Sequence, residues 1–190
     1  MTIRTDMKMK YLSAISGFGK ALCLSLLLLA AASVPAFAQA DVYGAWTSVG
    51  STGTVDEADA ANVGFNATQV YLTAGATSAT IRYNVTATSN LFFGLNKTLV
   101  VRAFKPNADS RIIINLLKQD LNSGAVVGIG GMDSGAQMAW IASPSFQVRS
   151  TPLLASQFDF LRNSYYIEVQ LIRTAPTGDP RVSMLQVFGN

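Results

Sequence analysis

Histidine is absent from the whole chain, and the single cysteine, Cys23, lies in an uncharged run close to the N-terminus. The first absence excludes Ser-His-Asp and Cys-His pairs, imidazole proton shuttles near neutral pH, and the usual zinc, copper and non-haem iron ligand sets. The second leaves the remainder of the chain without a disulfide or a thiol nucleophile. Charge is also sparse, at 13% of residues, which favours association or adhesion over free dispersal. No long amphipathic stripe of helical period is present to support a helical bundle. Nor is there an internal repeat, a low-complexity tract or a dividing linker.

What is present begins with a segment laid out like an export signal. Arg4, Lys8, Lys10 and Lys20 stand against Asp6 alone, residues 21–32 are uncharged and rich in Leu and Ala, and Ala36-Phe37-Ala38 offers small residues to a signal peptidase. This layout predicts a signal peptide over 1–38 and one domain over 39–190, with Asp41 as the other candidate start. The competing reading is an uncleaved anchor, which needs about 20 apolar residues; Pro35 and Gln39 interrupt the stretch that would supply them. Cys23 falls inside the run, not just after it, so lipid attachment there does not fit. The expectation is a periplasmic or extracellular protein with no membrane span after cleavage.

The leader also accounts for the positive charge. The chain carries 14 basic and 11 acidic residues. Four of the basic and one of the acidic residues precede Gln39, which leaves equal numbers of each sign. A neutral domain has no basic surface for nucleic acid.

Several segments alternate with the period of a strand. In 81–86 the apolar Ile81, Tyr83 and Val85 alternate with Arg82, Asn84 and Thr86, and in 165–173 Ile167, Val169 and Leu171 alternate with Tyr166, Glu168 and Gln170. Segments 97–105 and 111–119 are apolar on both faces and rich in β-branched residues, as central strands are. The turn at 120–124 predicts a hairpin between 111–119 and 125–131, with Gly124 taking positive φ. Residues 174–180 are expected to join 165–173 to 181–188 as a second hairpin. Shorter strands are expected at 42–49, 63–65 and 69–72, with a capped helical turn over 55–60 introduced by Thr54 and Glu57. About nine short strands with turn signals between them predict an all-β fold, an antiparallel sandwich of jelly-roll or immunoglobulin-like type.

Chemistry has few places to reside. Gly131-Met132-Asp133-Ser134-Gly135 resembles the nucleophile loop of serine proteases, but without histidine Ser134 would need a lysine base, and no motif ties Lys97, Lys105 or Lys118 to it. A glycine-rich turn is the simpler reading. Asp56, Glu57 and Asp59 form an acidic cluster that suits a structural calcium ion in ligand type, although the twelve-residue calcium loop is missing and a helix cap explains the same residues. Glu168 projects from the polar face of its strand. A carboxylate-dependent hydrolase would need a second carboxylate at a set distance, which spacing along the chain does not reveal.

Aromatic residues carry the binding candidates: Trp46, Trp140 and Tyr166. A ring exposed on a sandwich stacks on the apolar face of a sugar and needs no titrating group. Tryptophan is highly buried on average, so core placement is the competing reading for Trp46 and Trp140. The functional expectation is an exported, non-catalytic module that binds a surface glycan or a protein partner without a cofactor. A self-assembling structural subunit and a carboxylate-dependent hydrolase are the alternatives.

Overall fold

The computed structural model describes residues 44–88, 91, 96–136, 140–153 and 158–189, all within the compact unit Val42–Asn190. The expected signal peptide and its cleavage site lie outside these residues. Among the described residues eleven strands are formed: β1 (Trp46–Val49), β2 (Thr54–Val55), β3 (Val63–Phe65), β4 (Val70–Leu72), β5 (Ser78–Val85), β6 (Lys97–Phe104), β7 (Ser110–Asp120), β8 (Val126–Asp133), β9 (Gln147–Leu153), β10 (Asn163–Arg173) and β11 (Arg181–Gly189). They build a six-stranded sheet in the order β3-β4-β11-β6-β9, with β1 also on β11, and a five-stranded sheet in the order β2-β5-β10-β7-β8. Every pairing is antiparallel.

The pairings β4/β11, β5/β10, β6/β9 and β7/β8 are nested, each pair enclosing the next along the chain and falling alternately in one sheet and the other. That is the wrapping of a jelly roll, and it decides between the two sandwich types expected from the sequence. The alternation in β5, β7 and β10 puts Ile81, Ile112, Ile114, Leu116, Ile167 and Leu171 between the sheets with no exposed surface. Each such side chain contributes roughly 1.5–3 kcal/mol by leaving water. Among the described residues, no helix is long and apolar enough to cross a membrane.

Two expected local features differ. Strands β10 and β11 do not form a hairpin, because β10 lies in the five-stranded sheet and β11 in the other. The connecting segment crosses the sandwich, where facing sheets lie about 10 Å apart. Arg173 pins the crossing: its Nε donates to the Gly178 carbonyl at 2.6 Å, and its Nη1 and Nη2 donate to the carbonyls of Thr73 and Leu72 at 3.1 and 3.3 Å. The helical turn is a 3₁₀ segment over Glu57–Asn62, preceded by Asp56 with no side-chain cap, because Thr54 and Val55 pair with β5 as β2.

The β7–β8 hairpin forms as expected. The Asp120 carboxylate accepts the amides of Asn122 and Ser123 at 3.0 and 2.7 Å, and Gly124 has φ +72°. Across the interior, the Tyr83 hydroxyl donates to the Gly50 carbonyl at 2.7 Å, and burial drives its pKa up. The same glycine lies so close to the Val182 backbone that a Cβ there would overlap it.

Candidate functional site

The outward side chains of the five-stranded sheet form a continuous surface whose rows follow from strand register. One row runs Asn84, Tyr166, Leu117, Gly128 across β5, β10, β7 and β8. The next runs Arg82, Glu168, Asn115, Gly131, and a third runs Thr80, Gln170, Ile113, Asp133. Four strands at about 4.8 Å spacing make each row roughly 14 Å long. Tyr166 occupies the centre, half-buried, while its neighbour Tyr165 points inward and is 2% exposed.

The polar groups on this face are of two kinds. The charged ones are paired: Arg82 Nη1 contacts both Asp56 oxygens at 2.7 and 2.8 Å, and its Nε donates to Glu168 at 3.2 Å. Arg111 makes a two-pronged contact with Asp133 at 2.9 and 2.5 Å, which holds that carboxyl below the usual carboxylate range. The uncharged ones are not. Among the described residues, Asn84, Asn115, Gln170 and Tyr166 make no side-chain hydrogen bond to the protein. Their donors and acceptors are therefore free to meet water or a ligand.

Glycine shapes the β8 side. A Cβ on Gly128 would meet only the Leu117 side chain, at 4.0 Å, whereas one on Gly131 would overlap the Ile114 carbonyl. The surface at Gly128 is low and open.

The residues singled out from sequence are distributed unevenly. Trp46 and Trp140 are 8% and 5% exposed and belong to the hydrophobic core, so neither ring is available for stacking. The Trp140 Nε1 is buried without a partner, and the Arg149 guanidinium lies 5.8 Å from the ring centre. Tyr166 alone of the three lies on the open face. The acidic cluster also has another explanation. Asp56 is taken up by Arg82, and Asp59 accepts the Thr80 amide at 2.8 Å, tying the 3₁₀ segment to β5.

Among the described residues no group of three carboxylate, histidine or cysteine side chains is placed to hold a metal ion. A calcium ion at Asp56, Glu57 and Asp59 would have to displace Arg82. Ser134 is buried, and its hydroxyl accepts the Ile112 amide at 2.8 Å; the preceding Asp133 accepts the Gly135 amide at 2.8 Å, as in a turn. The amides that complete the candidate surface, Asn84, Asn115 and Gln170, were not among the sequence candidates. Alternation marks them as outward; strand neighbourhood sets Asn84 opposite Tyr166 and Asn115 diagonal to it, while Gln170 lies further along the same strand, beyond Glu168.

No family model and no curated protein matches the chain. Solved structures share the sandwich at low identity. The CBM36-1 domain of a multidomain xylanase from the hindgut metagenome of Trinervitermes trinervoides is 13% identical, with 77% of this chain and 98% of that one covered and a TM-score of 0.44. The C-terminal CBM6 of a marine laminarinase from Zobellia galactanivorans is 10% identical, with 76% and 98% covered and a TM-score of 0.45. A cyclase from Fischerella sp. TAU is 12% identical, with 78% and 84% covered, also at 0.45.

Proposed function

We propose that this protein is an exported, non-catalytic module that binds a glycan on the outer face of its five-stranded sheet. The supporting observation is Tyr166, a half-exposed ring set among amides that have no partner among the described residues. A ring stacks on the C–H face of a sugar, while amides offer both donors and acceptors to its hydroxyls. Export is supported by the leader over 1–38.

Hydrolysis would call for an acid of raised pKa beside a second carboxylate. Arg111 drives Asp133 the opposite way, and Arg82 engages both Asp56 and Glu168.

Native gels cast with soluble polysaccharides test the reading. The protein is expected to be retarded by at least one polymer, with Tyr166→Phe close to wild type and Tyr166→Ala roughly tenfold weaker, equivalent to about 1.4 kcal/mol. An alanine variant retarded as strongly as wild type would remove Tyr166 from the site.

A further inference from the structure

The charge arrangement on the same face narrows the ligand, and the inference rests on the glycan reading above. We infer that the site takes an uncharged polysaccharide and discriminates against uronate or sulfate polymers. Carboxylate and sulfate groups are recognised mainly by arginine forks or lysine ammonium groups with free donors. Among the described residues two arginines project from this face, and both are engaged. Arg111 is matched by Asp133, and Arg82 lies between Asp56 and Glu168. The second group contains one cation and two carboxylates, so it leaves one negative charge beside Tyr166. Polyanions would be repelled there at low salt, when screening is weak.

The remaining groups suit neutral hydroxyls. An amide both donates and accepts, and so does a hydroxyl, so Asn84, Asn115 and Gln170 can pair with sugar hydroxyls in either sense. Leu117 and Ile113 flank Asn115 along β7 and supply apolar floor. The glycines of β8 leave the floor without a wall on that side, so a polymer can continue past the sheet instead of ending on it. The row from Asn84 to Gly128 thus gives the chain a path across the strands.

Gly128→Val tests the path without disturbing the core, since the added Cβ meets open space apart from Leu117 and valine suits a strand. Purified protein is run at low salt in native gels containing a neutral β-glucan, xylan, polygalacturonate or dextran sulfate. Neutral polymers are expected to retard wild type and the polyanions are not. Gly128→Val is expected to weaken the neutral interaction at least tenfold with unchanged thermal midpoint. The pair Asp56→Asn and Glu168→Gln, which frees Arg82, is expected to gain retardation by polygalacturonate. Retardation of wild type by polyanions alone overturns the neutral-ligand inference and leaves glycan binding standing. No retardation by any polymer overturns the glycan reading itself. Full neutral binding by Gly128→Val overturns the path across β8.

Discussion

Arg111 and Asp133 meet across neighbouring strands, and their contact ties part of the acid stability of the fold to the Asp133 carboxyl. Asp133 is held below its ordinary pKa chiefly by the Arg111 hydrogen bond, and Asp120 is held low by the Ser123 amide. Each has a lower pKa folded than unfolded, so its contribution is complete above the unfolded value of about 3.9 and disappears as pH falls through the folded one. No histidine is present to titrate between about pH 5 and 7. Thermal melting is therefore expected to stay level across that range and to decline below about pH 4, with a shallower decline in Asp133→Asn. A midpoint change between pH 6 and 7 would contradict this. At the same scale the site was only partly legible. Tyr166 could be placed on a polar face because its neighbours alternate, whereas Trp46 and Trp140 sit where packing needs large rings, and nothing in their local sequence distinguishes core from surface.

At the level of single elements, local patterns were dependable wherever one strand or one turn contains the whole signal. The alternation of β5 and β10 and the apolar runs of β6 and β7 all produced strands near the expected residues. In the β7–β8 hairpin, Gly124 has positive φ, and a Cβ added there would meet open space, so Gly124→Ala isolates backbone strain from packing. The expected loss is about 1 kcal/mol, within the cost of the left-handed conformation for a residue with a side chain, readable as a shift in the urea midpoint at constant m. An unchanged midpoint would mean that the turn relaxes. The failures occurred where a competing long-range partner wins. Thr54 has the spacing of a helix cap but is drawn into a strand by β5. Similarly, residues 174–180 look like a hairpin loop, although they carry the chain between sheets because Arg173 finds its acceptors on Leu72 and Thr73, where β4 ends.

For the whole molecule, the nested jelly roll places the two ends of the wrapped segment, β4 and β11, side by side, and it turns one side of the five-stranded sheet outward. The proposed export makes a prediction about the N-terminus, since a cleaved signal peptide would be lost after residue 38. N-terminal sequencing of the protein recovered from its host is expected to begin at Gln39, and a chain retaining residues 21–32 would refute export by cleavage. The all-β class, the lack of histidine and the two-faced strands could be read along the chain alone, because composition and a period of two are local properties. Strand neighbours, the carboxylate that each arginine meets, and the aromatic ring that faces water emerged only on folding, because they depend on burial of side chains brought together from distant parts of the chain.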